Sequence, residues 1–338
     1  MTPQQLTVLA KEIFVRAGMA SEQASLVADV LVWADLRGMG SHGVMRVPRY
    51  VELMRKGDLN VRPQMRVTEE TPAAVKLDAD RAAGPVAMAR GAELAIAKAR
   101  SAAIGLAIVR STTHTAALGY YTQRGAREGM AMIAISASGP NMAYHGARAA
   151  GVSTAPLSIA VPGEDEPLAL DMGSGVVSLG KLMQARRAGE ALAPGLALDR
   201  EGAPTTDPRA AAIPLPLGGA KGSGLAFMIE CLASLLAGNP ILAEALEGSP
   251  AGARHTQNGL VIAIDVARFV PLKKFTEEIE RLKRLIKALP AQPGAEILMP
   301  GERGGRNAVK RASDIPVAPG VLEELRSLAR SLGVEVPA

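Results

Sequence analysis

Through the first 57 positions apolar residues recur at three- and four-residue intervals, and that spacing predicts helices. The opening MTPQQLTVLAKEIFVRAGM reads as an amphipathic helix. A second helix follows Ser21, taken as its N-cap, with Leu26, Val27, Val30, Leu31 and Ala34 at helical spacing. Gly38 and Gly40 interrupt the pattern. A further helix through Val44, Val47, Val51 and Leu53 runs to Gly57, with Pro48 in its first turn, where a missing amide hydrogen does no harm. The stretch 60–80 marks a boundary and contains a strand at 73–79. Helices at 84–101 and 117–128 then alternate with strands at 105–109 and 132–137, and short strands follow at 157–161 and 168–171. Residues 189–222 read as loop, 223–237 as helix, 260–266 as strand, and 275–289 and 320–332 as helices. Elements of these lengths predict a mixed α/β lobe with a largely buried sheet.

Of the 338 residues, 48% are hydrophobic and 21% charged, which allows a large core and excludes a mainly disordered chain. With only one Trp, four Tyr and four Phe, the core is aliphatic and no platform for stacking bases is expected. The net charge of +5 suits an anionic small molecule, and without a long basic stretch a nucleic-acid partner is not expected. A lone cysteine, Cys231, has no partner for a disulfide or a Cys-x-x-Cys metal site, so a reducing, cytoplasmic compartment is expected. The apolar stretch 224–238 carries Glu230 and falls short of the roughly 20 residues of a membrane span. The N-terminus lacks a signal-peptide pattern.

Several motifs tempt and fail. Gly38-Met39-Gly40-Ser41-His42-Gly43 matches the dinucleotide fingerprint literally, but a helix precedes it where a strand is needed. Gly175 to Lys181 resembles a phosphate-binding loop with Leu182 where a metal-binding hydroxyl must stand, and reads instead as a helix packed on the sheet. Ser41-His42 lacks the surroundings of a hydrolase nucleophile. The histidines at 42, 114, 145 and 255 show no metal-ligand spacing, so no metal is expected.

What remains is Ala34 to Tyr50, where His42 opens a helix and Arg46 follows four residues later on the same face. An imidazole moves protons near neutral pH and a guanidinium grips a carboxylate with two parallel bonds. The pair fits a small 2-oxo or 2-hydroxy acid. The residues alone also allow a plainer arrangement, with His42 capping a helix and Arg46 in a surface ion pair. Lys221, among Gly218, Gly219, Gly222 and Gly224, is suited to a phosphate.

The Ser41-His42-Gly43…Arg46 segment resembles the signature of the type-2 malate/L-lactate dehydrogenase family. The likeness continues in order through Thr113–Tyr121, Gly151–Leu157, Leu170–Ser174, Pro204–Pro208, Leu217–Leu225 and Met299–Arg303. This resemblance implies a non-Rossmann fold: an α/β, mixed-sheet cofactor domain at 71–265, and a helical domain built from 1–70 and 266–338. It also implies a homodimer, and NAD or NADP as the cofactor of a hydride transfer between 2-hydroxy and 2-oxo acids. A reductase of a cyclic 2-imino acid is the alternative. By the same resemblance, His42 is the acid/base, Ser41 its relay neighbour, and His114 a catalytic residue in some members. Arg46 and Thr154 meet substrate. The implied cofactor contacts are His114, Thr115, Ala116, Ala117, Leu118, Asp171, Met172, Gly173, Lys221, Gly301, Glu302 and Arg303. Three departures stand out: Gly40 where many members have Asp, Thr115-Ala116 for a common Phe-Gly, and Lys181 where imine reductases have Asp.

Overall fold

The computed structural model describes residues 1–252 and 254–336. The chain begins with α1 (Pro3–Arg16), α2 (Ser21–Leu36) and α3 (Val47–Arg55), then forms β1 (Arg66–Glu70) and β2 (Ala74–Asp78). It continues through α4 (Gly84–Ala102), β3 (Ile104–Thr112), α5 (Gly119–Arg127) and β4 (Met130–Ser138). The short β5 (Met142–Ala143) and β6 (Ala150–Val152) lead to β7 (Leu157–Val161), β8 (Leu168–Met172) and α6 (Leu179–Ala188). Next come β9 (Ala197–Leu198), β10 (Pro204–Thr205), β11 (Ile213–Pro214), α7 (Ala220–Glu230), α8 (Leu242–Leu246) and β12 (Gln257–Asp265). Helices α9 (Leu272–Lys287), α10 (Glu302–Lys310) and α11 (Pro319–Ser331) complete the order.

Among the described residues the main sheet has seven strands, in the order β1-β2-β3-β12-β4-β7-β8. β2 and β3 run parallel, with α4 between them in sequence. Their neighbours pair antiparallel, so the sheet is mixed as expected. β12 enters the middle and pairs with β3 on one side and β4 on the other. A strand covered on both faces needs no polar alternation, which explains the run QNGLVIAID.

One core joins α1, α2, α3 and α11 to α4 and one face of the sheet, through Leu6, Ile13, Leu31, Val51, Ala95, Val109, Val261 and Leu325. The opposite face meets α7, where Ala226 and Ile229 pack with Ile135, Ala137 and Leu260. The two ends of the chain meet: Ile315 N donates to Met1 O at 2.9 Å, and the Met1 ammonium lies 2.8 Å from Asp314. A helical layer drawn from both termini therefore lies against the mixed sheet.

Four local expectations are corrected. Ala20, not Ser21, occupies the cap of α2, and Ser21 is already helical. The polar segment RVTEE forms β1 although all five side chains are exposed, because edge pairing with β2 needs no buried face. Within 175–181 the helix starts only at Leu179, with Ser178 Oγ accepting from Lys181 N at 3.2 Å, and Gly180 meets the Ser41 turn rather than the sheet. Finally, α10 escaped the sequence pattern because its nine-residue ERGGRNAVK run holds two glycines and only Ala308 and Val309 as apolar residues; an Arg306–Glu302 ion pair of 2.6 Å spans one of its turns.

Candidate active site

The segment bearing His42 is not one helix. Gly40–His42 and Val44–Arg46 are separate single turns, broken at Gly43, whose backbone is extended with ψ −157°. The break has a cause in Asp35. Its carboxylate accepts from Val44 N at 2.7 Å, and a Cβ on residue 43 would fall 1.9 Å from Asp35 Oδ1. Only glycine fits between the carboxylate and the turn. Burial pushes the Asp35 carboxyl up to about 7, a rise that the Val44 hydrogen bond and the Arg311 charge partly offset.

His42 and Arg46 are nonetheless neighbours. Ser41 Oγ lies 3.0 Å from His42 Nδ1. Arg46 Nε donates to Ser41 O at 2.7 Å, which turns the guanidinium back toward the histidine and leaves its terminal nitrogens for another partner. Burial, and then the Arg46 charge, push His42 down to about 4, so the imidazole is neutral at pH 7. The ring of His114 stacks on that of His42, with centroids 5.6 Å apart and planes 16° from parallel. His114 too is held well below its ordinary pKa, by burial first and then by Arg46, His42 and His255. Tyr50 OH sits 2.9 Å from His114 Nδ1 and 2.8 Å from His114 O. Ser41, His42, Arg46 and His114 thus form one half-buried pocket.

From His114 the chain runs through Thr115, Ala116, Ala117 and Leu118, all buried. Thr115 N donates to Gln257 Oε1 at 3.2 Å, and Ala116 holds the left-handed φ of 56°. The next amide, Gly119 N, donates to Asp171 Oδ2 at 2.8 Å at the end of β8. Burial pushes Asp171 up to about 6, against that hydrogen bond. Met172 and Gly173 continue past it, and Ser174 N donates to Thr154 O at 2.9 Å. The glycine-rich loop lies on the same segment, since Leu217 N donates to Ser174 O at 2.9 Å. Ser174 Oγ is buried without a hydrogen-bond partner among the described residues, while the Lys221 side chain is exposed.

The remaining expected contacts lie elsewhere. Pro300 O accepts from Ala169 N at 3.4 Å, near the start of β8. Gly301 and Glu302 border a cavity of about 470 Å³ lined also by Arg37, Gln123 and Lys287. Glu302 is engaged by Lys287 at 2.7 Å, Arg306 at 2.6 Å and Met299 N at 3.0 Å, so its carboxylate clasps its own loop. Arg303 is exposed. Three residues carried no expectation: Asp35, Tyr50 and Asn141, whose Oδ1 accepts from Thr154 N at 2.8 Å. Asp35 was recoverable, since it falls four residues after Leu31 on the buried face of α2.

A mixed sheet, with the Gly38–Gly43 run following a helix instead of a strand, is not a Rossmann fold, and a stacked histidine pair beside a half-buried arginine is suited to proton transfer next to a carboxylate. The chain belongs to the malate/L-lactate dehydrogenase family, whose model matches residues 1–326. The malate dehydrogenase of Pyrococcus horikoshii is 37% identical over 335 residues, spanning 96% of this chain and 92% of that protein. Its solved structure superposes with a TM-score of 0.90 at 33% identity, covering 100% of this chain and 96% of the other. The ureidoglycolate dehydrogenase (NAD(+)) of Escherichia coli K12 is 36% identical over 292 residues, covering 85% of this chain and 83% of its own. The (2R)-3-sulfolactate dehydrogenase (NADP(+)) of Chromohalobacter salexigens is 32% identical over 332 residues, 97% of each chain.

Proposed function

We propose that the protein is an NAD- or NADP-dependent oxidoreductase that moves a hydride between nicotinamide and a 2-hydroxy acid/2-oxo acid pair. The observation that carries this reading is the stacked His42–His114 pair with Arg46 turned toward it through the Ser41 carbonyl. Arg46 grips the substrate carboxylate with its terminal nitrogens, which orients C2. His42 takes the hydroxyl proton in oxidation and returns it in reduction. Because the Arg46 charge helps hold His42 near 4, a carboxylate seated on Arg46 offsets that charge. It thereby raises the affinity of His42 for a proton when a 2-oxo acid binds.

The crevice residues fit a dinucleotide. The amides of Gly219, Lys221, Gly222 and Ser223 already donate within the loop, so the exposed Lys221 ammonium is the group left for a phosphate, with the unpaired Ser174 Oγ on the segment that the loop packs against. Lys221 would hold a phosphate, and His114–Leu118, Asp171, Met172 and Gly173 would hold the nicotinamide half. When bound, the cofactor supplies the hydride acceptor or donor. Thr154, fixed by Asn141 and Ser174, contacts substrate. The Gly301–Arg303 loop reaches the cofactor through its backbone or Arg303, since Glu302 is engaged internally.

The same reading divides the chain into 1–70 and 266–338, which carry substrate and dimer contacts, and 71–265, which carries the cofactor. The homodimer seam of this reading would extend onto the 71–265 segment, where Phe227, Met228, Leu232, Leu235 and Leu236 on the outer face of α7 and the turn after it are about half exposed. The lone Cys231 supports a cytoplasmic setting. Among the described residues no helix is long and apolar enough to cross a membrane. The test is an absorbance screen of both reduced cofactors against 2-oxo acids and cyclic imines. Oxidation of cofactor by a 2-oxo acid is expected, and turnover of cyclic imines alone would overturn the assignment.

A further inference from the structure

Tyr50 is fully buried on α3, one turn beyond Arg46, and its hydroxyl faces two groups of a single residue. The phenol oxygen is 2.8 Å from the His114 carbonyl oxygen and 2.9 Å from His114 Nδ1. The phenol has one hydrogen to give, and a carbonyl oxygen only accepts. If the hydrogen pointed to Nδ1, the phenol and carbonyl oxygens would face each other lone pair to lone pair in a site closed to water. Buried acceptors in that arrangement are costly. If the hydrogen points to the carbonyl, the contact at Nδ1 becomes a bond only when Nδ1 carries its own hydrogen and donates to the phenol oxygen. One assignment alone turns both contacts into hydrogen bonds.

We infer that Tyr50 is a positioning residue that fixes His114 as the Nδ1–H tautomer and leaves His114 Nε2 as a bare acceptor. Burial, and then the facing Arg46 charge, keep the ring neutral, so it holds a single hydrogen. The consequence deepens the proposed function and rests on that reading of the pocket: His114 has no hydrogen on Nε2 to give to a 2-oxo acid. It receives a hydrogen bond there instead, and proton delivery falls to His42. Two stacked imidazoles in one pocket are thereby made unlike. Ser41 Oγ meets Nδ1 of His42 at 3.0 Å, whereas a phenol backed by a carbonyl meets Nδ1 of His114.

The test is a two-bond proton–nitrogen correlation spectrum of the full-length protein labelled with ¹⁵N-histidine, at pH 7.5 without ligands. A His114→Asn variant identifies the His114 signals. The expected pattern is a protonated Nδ1 and an unprotonated Nε2. Tyr50→Phe keeps the ring that packs on Phe14 at 6.0 Å and removes the hydroxyl, so the His114 pattern should shift toward mixed tautomers. Turnover should fall by about tenfold, the worth of one buried hydrogen bond. A wild-type spectrum with the hydrogen on Nε2 would overturn the inference even if the variant failed to fold. So would an unchanged tautomer in a folded Tyr50→Phe protein. Because the spectrum needs neither cofactor nor turnover, its outcome is independent of whether the substrate is a 2-oxo acid.

Discussion

The histidine pair and the segment proposed to hold the cofactor are joined by one five-residue loop, His114–Leu118, and they are finished to different degrees. In the pocket, Ser41, Tyr50 and the Ser41 carbonyl hold His42, His114 and Arg46 in place, and burial keeps both rings neutral. In the crevice, Ser174 Oγ has no partner among the described residues and the Lys221 amine stands exposed. Groups that move a proton gain from being fixed before substrate arrives. Groups that hold a large ligand are completed by it. The difference teaches which region the protein organises by itself and which awaits a partner.

The largest effect should come from the finished region. His42→Ala is expected to lower turnover by roughly 10²–10⁴-fold, the usual worth of a positioned acid/base, with the cofactor dissociation constant nearly unchanged. Steady-state kinetics and fluorescence titration check this. If His42→Ala keeps its turnover and His114→Ala does not, the proton role passes to His114.

Arg46→Lys keeps the charge but loses both the planar fork and the Nε bond to Ser41 O. A fall in kcat/KM of about 10–100-fold is expected for acids. The amide or ester of the same substrate should be poor with the wild type and little changed by the substitution. Equal losses for acid and ester would make Arg46 a support of the turn.

Asp35 gives the pocket a pH signature of its own. Its carboxyl titrates near 7 in the folded chain and near 3.8 ordinarily. Between those values the folded state holds a proton that the unfolded state has released. Folding is therefore favoured as pH falls from 7 toward 4 and this contribution is lost as pH rises. Asp35→Asn retains an oxygen for Val44 N and abolishes the titration. Its stability relative to wild type should rise by roughly 4 kcal/mol from pH 4 to pH 8, as read by urea unfolding. A pH-independent difference would contradict this account of the turn.

The smallest effect belongs to the crevice. Lys221→Ala should weaken cofactor binding about fivefold, the scale of an exposed charge contact. The KM of the acid should move less. Added salt should narrow the gap between the two proteins.

The sequence motifs made much of this legible. Helical spacing and the Gly-Ser-His-Gly…Arg run brought His42 and Arg46 together correctly, and the ordered blocks led to the family. The straight helix expected between them was wrong, because a distant carboxylate at Asp35, not local spacing, sets the break at Gly43. Tyr50 stood inside the motif without a role, since its partner lies 64 residues away across the fold. β1 and α10 were missed for a shared reason: RVTEE offers one apolar residue, Val67, and ERGGRNAVK only the adjacent Ala308 and Val309, so neither leaves an apolar rhythm to read.

Transfer of a label tests the central claim most directly. The enzyme is supplied with a 2-oxo acid and reduced NAD or NADP carrying deuterium at both nicotinamide C4 positions, and the product is read by proton NMR. The account predicts deuterium at C2 of a 2-hydroxy acid, with the label absent when His42→Ala replaces the wild type over the same interval. Product formed by the wild type without deuterium at C2, or no product from any 2-oxo acid with either cofactor, would contradict it.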